Sequence, residues 1–373
     1  MLKAKKHSKG KKARLNSVLS YLYRLLKPSK PLVVLDAQTS FHLEHFKPVI
    51  LKLSERNELY IVVIGPYDKS MAKLKNVFFY QTLEKYPLYK KADIFISTEL
   101  NQPPFWFDCP VVYFGHGMGP KLNYVDNELL NNFDYVFSPC LPTYTVQIKK
   151  LSKEIVFPVG MPILDERLSK QESIIESLNL DELKPILVYA PSWCNDISKI
   201  SDIHAIISFL KTKSQFNVII SPHPLLFQPD CCSGEVIFNF QDTIDDVFVN
   251  LPNGQFNTLD LVRASTVVIS DISSILFEAM ALKKKVLFDG NKDLYEYSQA
   301  MHIFNELIEI CDIPNWADTC DQTIERTLVS DDFFSCREKF INGYLFNNGR
   351  ASDVFIDKVN QILSSDKELS DQT

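Results

Sequence analysis

The stretch Thr266–Gly290 reads TVVISDISSILFEAMALKKKVLFDG and decides the fold class of this chain. Thr266–Ser270 is an apolar, β-branched run of strand length. Ser273–Leu282 repeats apolar side chains at helical spacing, and Val286–Asp289 is a second apolar strand. Strand, turn, helix and strand in this order predict a parallel βαβ unit. Its turn lies at the carboxyl end of the first strand, where open α/β sheets bind their ligands.

The turn of this unit carries side chains that suit a phosphate group. Asp271, Ser273 and Ser274 stand beside the free N–H groups of the predicted helix N-terminus. Glu278 follows Ser274 by one helical turn, so that both side chains can face one ligand. The alternative interpretation is that Asp271 and Ser273 only cap the helix.

Length and composition predict a globular chain with two domains. The 373 residues are 46% hydrophobic and 23% charged, which provides enough apolar material for two cores. None of the eight cysteines forms a CxxC pair, so that reduced, mostly buried thiols in the cytosol are expected. Neither a zinc-ligand spacing nor a D-x-D motif occurs, and we expect no metal and no other cofactor. No apolar run has the length of a membrane span.

The charge is concentrated at one end of the chain. Residues 1–30 contain ten Lys and Arg and no acidic residue, whereas the net charge of the whole chain is −6. The remainder is therefore strongly acidic, which argues against nucleic-acid binding by the folded part. Leu15–Leu26 repeats leucines at helical spacing behind this basic flank, a pattern typical of a membrane-surface anchor. The alternatives are a nucleic-acid-binding tail and a helix that packs on the body.

A glycine-rich loop follows the predicted strand Val111–Phe114 and reads Gly115-His116-Gly117-Met118-Gly119-Pro120-Lys121. Three glycines within five residues allow a ligand to approach the backbone closely. We interpret His116 as a functional residue, because glycines frame it at the carboxyl end of a strand. The alternative is a structural histidine in a loop.

Two further loops follow predicted strands in the second half of the chain. Ile186–Tyr189 leads into Ala190-Pro191-Ser192-Trp193, and Asn217–Ile220 leads into Ser221-Pro222-His223-Pro224. Two prolines flank His223 and restrict its backbone, so that the fold is expected to fix the orientation of its ring. The alternative is that His223 is only a turn residue without a function.

These patterns predict an α/β chain with two facing Rossmann-like domains, parallel sheets and a ligand cleft between them. We expect a basic amphipathic arm over residues 1–30 and a first Rossmann-like domain over 31–180. The second, nucleotide-binding domain is expected over 181–345. A C-terminal helix is expected to return to the first domain within 346–373, ahead of a polar tail.

The ordered loops resemble the CDP-glycerol:poly(glycerophosphate) glycerophosphotransferase family, which includes teichoic-acid primases and polymerases with a GT-B fold. The resemblance covers about residues 90–355. The residues that match are His116-Gly117 with Lys121, Gly160-x-Pro162-x-x-Asp165, Ala190-Pro191-Ser192-Trp193, His223-Pro224, Asp271-x-Ser273-Ser274-x-x-Phe277-Glu278 and Asn348-Gly349-Arg350-Ala351-Ser352.

The resemblance implies transfer of glycerol phosphate, or a related polyol phosphate, from a CDP-activated donor to an acceptor hydroxyl, with release of CMP. The acceptor would be a lipid-linked or polysaccharide chain of a teichoic acid or capsule. The first domain would bind this acceptor. Together with the membrane-anchor pattern of residues 1–30, this places the enzyme on the cytoplasmic face of the cell membrane.

The resemblance also implies roles for the residues of the loops. His116 would be the base, since an imidazole titrates near neutral pH, and His223 would contact the donor phosphate. Glu278 would accept hydrogen bonds from the ribose, and Asp271 would orient either the turn or His223. The residues expected to hold substrate or nucleotide are Gly115, Gly117, Lys121, Ser192, Pro222, Asp271, Ser273, Ser274 and Glu278.

Two positions depart from the family pattern. Ile163 and Cys194 stand where the family usually has arginine, so that two cationic phosphate contacts are missing. The alternatives are therefore a GT-B glycosyltransferase with a nucleotide-sugar donor for surface polysaccharide, a sugar-nucleotide 2-epimerase, and a non-catalytic membrane-bound homologue.

Overall fold

The computed structural model describes residues 30–82, 92–101, 108–115, 117–119, 125–165, 171–228, 247–251, 256–314, 316 and 320–371. These residues form two compact units. The first unit holds the described residues up to 115 together with 125–165 and 349–371, and the second holds 117–119 and the described residues of 171–348. The predicted basic arm lies outside the described residues, except for Lys30, at which the description begins.

The first unit contains a seven-stranded parallel sheet with the order β3-β2-β1-β4-β5-β6-β7. Its strands are nearly continuous apolar runs, as expected where helices cover both faces of a parallel sheet. Strand order reverses between β1 and β4, which is the switch point of this sheet. The strands are β1 Leu32–Asp36, β2 Tyr60–Ile64, β3 Val77–Tyr80, β4 Ile94–Ser97, β5 Val111–Phe114, β6 Tyr135–Ser138 and β7 Val156–Pro158.

The helices of the first unit come from distant parts of the chain. They are α1 Ser40–Arg56, α2 Leu141–Lys150 and the C-terminal helix α11 Ala351–Asp371, with short 3-10 turns at Met71–Lys73, Glu128–Asn132, Lys153–Ile155 and Pro162–Leu164. The ring of Phe355 on α11 lies 5.2 Å from Phe114 and 5.0 Å from Phe137. Each fully buried side chain of this kind contributes about 1.5–3 kcal/mol, so that α11 is an integral part of the first core.

The second unit contains a five-stranded parallel sheet with the order β10-β9-β8-β11-β12. Its switch point lies between β8 and β11. The strands are β8 Ile186–Ala190, β9 Asn217–Ile220, β10 Phe248–Val249, β11 Val267–Ser270 and β12 Lys285–Phe288. The helices are α3 Gln171–Leu178, α4 Ile203–Lys211, α5 Thr258–Ala264, α6 Ser274–Ala281, α7 Lys292–Tyr297, α8 Met301–Leu307, α9 Cys320–Val329 and α10 Phe334–Tyr344, with 3-10 turns at Ile197–Lys199 and Pro224–Phe227.

The predicted α/β class with two parallel sheets is confirmed. The predicted βαβ unit is β11, α6 and β12, and its helix begins at Ser274, one residue later than the sequence pattern indicated. Among the described helices, none combines the length and the apolar character that a bilayer span requires.

Candidate functional site

The switch point of the second sheet brings two of the predicted loops together. Ala190 at the end of β8 is in register with Ser270 at the end of β11, and the Ser270 hydroxyl donates to the Ala190 carbonyl at 2.7 Å. The loop that begins Pro191-Ser192 therefore starts beside the turn that begins at Asp271. Parallel sheets place ligands at this edge, so this corner is the candidate site.

Asp271 joins the two loops through its carboxylate. Only 2% of the residue is exposed, and its two oxygens accept the backbone N–H of Ser192 at 3.1 and 2.9 Å. One of these oxygens also accepts the N–H of Ser273 at 3.1 Å. These contacts support a role for Asp271 in shaping the turn, because backbone N–H groups already balance much of its charge.

Ser273 is the N-cap of α6. Its backbone is extended, and its hydroxyl accepts the N–H of Ile275 at 3.3 Å. The Ser273 hydroxyl therefore acts as a helix cap, as the alternative interpretation expected. It satisfies one N–H group of the first turn of α6.

Glu278 lies one turn further along α6 and is buried. Burial raises the pKa of its carboxyl to about 7, while a hydrogen bond from Ser274 and the nearby charge of Arg263 act in the opposite direction. The predicted proximity of Ser274 and Glu278 is thus present in the structure. A carboxyl with a pKa near neutrality can donate as well as accept a hydrogen bond.

The described part of the glycine-rich loop packs against the start of α6. A Cβ atom added to Gly119 would lie 3.6 Å from the Ser274 nitrogen and 3.6 Å from the Ile272 carbonyl oxygen. Met118 is buried, and its carbonyl accepts the Tyr344 hydroxyl at 2.8 Å. Gly119 therefore lies close to the helix N-terminus, and Gly117 belongs to the same, second unit.

Of the three other predicted loop residues, the structure describes only Gly115. Gly115 directly follows β5 in the first unit, where its N–H donates to the Phe137 carbonyl at 3.2 Å. His116 and Lys121 lie outside the described residues. Their predicted roles as base and phosphate contact stay predictions.

His223 is held by its own turn and by the Ser192 loop. Its N–H donates to the Pro191 carbonyl at 3.1 Å, and its ring lies 5.8 Å from the Trp193 ring. The ring nitrogen Nδ1 accepts the N–H of Leu225 at 3.2 Å. A neutral His223 ring consequently carries its proton on Nε2, which is the form that donates to a phosphate oxygen. Pro222 is buried beside it.

The hydroxyl of Ser192 is left without a partner by the described part of the chain. The residue is buried, and among the described residues its Oγ has no hydrogen-bond partner. A buried hydroxyl without a partner is costly, and a ligand or a water molecule can satisfy it.

Sequence reasoning missed Asp289 and Asn291, which follow β12. Asp289 accepts the Ser201 hydroxyl and, at 2.9 Å, the Trp316 ring N–H. Burial raises its pKa to about 6, and the charge of Asp271 adds to this effect. Asn291 donates to the Lys199 carbonyl at 2.9 Å, so both residues hold the far end of the Ser192 loop. The sequence signal that could have identified Asp289 is its position directly after the apolar strand β12.

The two departures from the family pattern are buried positions. Ile163 lies in a 3-10 turn of the first unit, and Cys194 lies in the Ser192 loop of the second.

In the described part of the chain, no group of three or more His, Cys, Asp or Glu side chains could hold a metal ion.

Comparisons with known proteins agree with this architecture. The family model described as CDP-glycerol:poly(glycerophosphate) glycerophosphotransferase matches residues 115–311. No curated protein matches the chain.

Solved structures with the same fold include the wall teichoic acid polymerase TagF, with a TM-score of 0.63 and 16% identity over 95% of this chain and 95% of that one. A TagF variant soaked with CDPG has a TM-score of 0.65 and 15% identity over 95% and 97% of the two chains. The UDP-GlcNAc 2-epimerase from Neisseria meningitidis bound to UDP-GlcNAc has a TM-score of 0.56 and 14% identity over 89% and 100%. At these identities the likeness shows the fold, and the predicted GT-B fold is confirmed.

Proposed function

Because the chain belongs to the CDP-glycerol:poly(glycerophosphate) glycerophosphotransferase family, we propose that it transfers glycerol phosphate from CDP-glycerol to an acceptor hydroxyl in teichoic acid synthesis. The observation that carries this proposal is the family match, which includes both loops at the switch point of the second sheet. The enzyme is a transferase, and CMP is its second product.

The donor binds at the carboxyl edge of the second sheet. The N-terminus of α6 offers N–H groups and a positive dipole end to the pyrophosphate, with Ser274 in its first turn. The Ser192 hydroxyl, which has no partner among the described residues, donates to the same group. Gly119 lies beside this N-terminus, and because it has no side chain it leaves the Ser274 N–H uncovered on that side.

His223 donates from Nε2 to a phosphate oxygen of the donor. Its Nδ1 is already engaged by the N–H of Leu225, which holds the ring in the required tautomer. Donation to a non-bridging oxygen stabilises the negative charge that develops as the acceptor attacks. Glu278 accepts hydrogen bonds from the ribose hydroxyls.

The transfer step forms one bond to phosphorus and breaks another. The acceptor oxygen attacks the β-phosphorus, which carries the glycerol, and the bond from this phosphorus to the bridging oxygen breaks. The electron pair leaves with CMP. The proton of the acceptor hydroxyl passes to the imidazole of His116, which acts as the general base.

The test is to incubate the purified enzyme with a soluble oligo(glycerol phosphate) acceptor and a panel of donors. CDP-glycerol, CDP-ribitol, UDP-glucose and UDP-GlcNAc are compared by the release of CMP or UDP. We expect acceptor-dependent release of CMP from CDP-glycerol. Release of UDP together with a glycosylated acceptor would instead show a glycosyltransferase. Interconversion of UDP-GlcNAc without release would show an epimerase.

The acceptor and the membrane belong to this proposal as well. Residues 1–30 combine ten basic side chains with a leucine-rich helical pattern, which suits an anionic bilayer that carries a lipid-linked acceptor. The enzyme would then act peripherally on the cytoplasmic face of the membrane.

A further inference from the structure

Tyr344, the last residue of α10, holds the described part of the glycine-rich loop. Its hydroxyl donates to the carbonyl oxygen of Met118 at 2.8 Å, although 226 residues separate the two in sequence. Both residues are buried, so that little water competes for this hydrogen bond. Both also belong to the second unit. The function proposed above gives Tyr344 no role.

Aromatic packing fixes the position of the Tyr344 ring. The ring is stacked on that of Phe277 in α6, with the ring centres 5.0 Å apart and the planes inclined by 18°. Phe340, one turn earlier on α10, is stacked on Tyr344 at 5.3 Å. Phe277 is fully buried and follows Ser274 by three residues. The helix that offers its N-terminus to the donor therefore also sets the place of the Tyr344 hydroxyl.

Met118 stands between the N-terminus of α6 and the proposed base. On one side of it, Gly119 lies beside the backbone nitrogen of Ser274. On the other side, Gly117 is bonded directly to His116. Two residues of chain span at most about 7 Å, so a displacement of Met118 is passed on to His116. The hydrogen bond from Tyr344 thus acts on the segment that leads to the base.

We propose that Tyr344 is a positioning residue of the transfer step, which holds the segment that leads to His116 through its hydrogen bond to Met118. This inference rests on the proposed function, in which His116 is the base. The donor phosphates are held by other groups, the N-terminus of α6 and the side chains of Ser192 and His223. Loss of the Tyr344 hydroxyl therefore slows transfer and leaves donor binding nearly unchanged, because a small misplacement of a catalytic group is enough to lower the rate.

The first test compares two variants that each lose one hydroxyl. Tyr344→Phe removes the donor to Met118 and keeps the stacked ring. Tyr60→Phe, at the amino end of β2 in the first unit, is the matched control. The kcat and the KM for CDP-glycerol are measured with a saturating soluble oligo(glycerol phosphate), and thermal unfolding shows that each variant is folded at the assay temperature.

We expect kcat of Tyr344→Phe to fall about tenfold and its KM for CDP-glycerol to stay within about twofold of the wild type. Tyr60→Phe keeps the wild-type values of both. A wild-type kcat in Tyr344→Phe overturns the proposal. A raised KM with an unchanged kcat also overturns it, since the hydroxyl would then serve donor binding.

A double-mutant cycle with His116→Ala separates positioning from a general structural effect. If Tyr344 acts through His116, its hydroxyl has nothing left to position once the imidazole is gone. Tyr344→Phe should therefore lower the residual rate of His116→Ala by less than about twofold, against about tenfold in the wild-type background. An equal loss in both backgrounds assigns Tyr344 a structural role and overturns the proposal.

Failure of the proposed function gives a different result, because the wild type then releases no CMP from CDP-glycerol. Hydrogen exchange followed by mass spectrometry tests the hold of Tyr344 on the loop without any turnover. The peptide that contains residues 117–119 should exchange its backbone N–H groups several-fold faster in Tyr344→Phe than in Tyr60→Phe. Faster exchange supports the hold on the loop, and equal exchange in the two variants overturns it.

Discussion

At the scale of single residues, the buried carboxyl of Glu278 makes stability depend on pH. The unfolded chain loses this proton near pH 4.5, whereas the folded protein keeps it up to about pH 7. The folded state therefore binds more protons in this interval, and its free energy of unfolding falls as pH rises from 4.5 to 7. Above about pH 7 both states are ionised and the contribution is constant.

We predict that Glu278→Gln removes this pH dependence. Relative to the wild type, the variant should gain up to about 3 kcal/mol in unfolding free energy between pH 5 and pH 8, since one pKa unit corresponds to about 1.4 kcal/mol. Urea unfolding at both pH values measures the difference. Glu309→Gln, an exposed carboxylate in the same unit, is the control and should follow the wild type. Parallel curves for Glu278→Gln and the wild type would contradict the raised pKa.

His116 is the proposed general base of the transfer step. We predict that His116→Ala reduces transfer by about 10²–10⁴, the usual effect of losing a general base, and leaves the fold intact. Initial rates of CMP release at saturating acceptor measure the effect, with circular dichroism as the check on folding. Wild-type turnover in the folded variant would remove His116 from the mechanism.

At the scale of elements, the N-terminal cap of α11 explains the role of Asp165 in the Gly160-x-Pro162-x-x-Asp165 motif. The Asp165 carboxylate accepts the N–H of Ala351 at 3.0 Å and the N–H of Ser352 at 2.6 Å. Asp165 of the first matching motif and Ala351 and Ser352 of the last one thus meet at a helix N-terminus in the first unit. A carboxylate there satisfies free N–H groups and complements the helix dipole.

We predict that Asp165→Ala destabilises the first unit by about 1–2 kcal/mol, the usual cost of a lost helix cap. Asp165→Asn should cost less, because its amide oxygen still accepts one N–H group. Denaturant unfolding monitored by circular dichroism measures both values. Asp357→Ala, at an exposed position on the same helix, serves as control and should stay within about 0.5 kcal/mol of the wild type. An Asp165→Ala variant as stable as this control would show that the cap is dispensable.

At the scale of the whole molecule, the basic arm and the acidic remainder are expected to act separately. Residues 1–29 lie outside the described residues, whereas Lys30 donates to the Asn57 side chain at 3.0 Å. A deletion of residues 1–29 therefore keeps the first described contact of the chain.

We predict that this deletion releases the protein from anionic vesicles and leaves transfer to a soluble acceptor unchanged. Binding of the full chain should weaken with salt, because the Debye length falls from about 10 Å at 0.1 M to about 3 Å at 1 M. Co-sedimentation with phosphatidylserine vesicles at both salt concentrations measures this, and neutral vesicles are the control. Equal sedimentation of the two proteins would exclude the arm as the anchor, and preferential binding of RNA would favour the nucleic-acid alternative.

The sequence by itself determined those features of the protein that depend on residues close to one another along the chain. Apolar runs predicted buried parallel strands, because helices cover both faces of such sheets. Helical spacing and the Ser273 cap predicted α6 to within one residue, since capping and periodicity are local. The order of the loops at strand ends was enough to indicate the family.

Only the tertiary structure decided which of these parts meet. Sheet order places β8 beside β11, so that Asp271 receives the N–H of Ser192 from 79 residues away. Asp165 likewise accepts the N–H of Ser352, which lies 187 residues away in sequence. Ser97 donates to Asp36, which lies 61 residues away. Local propensity carries no information on such pairs, because strand order and helix docking are chosen by burial over the whole core.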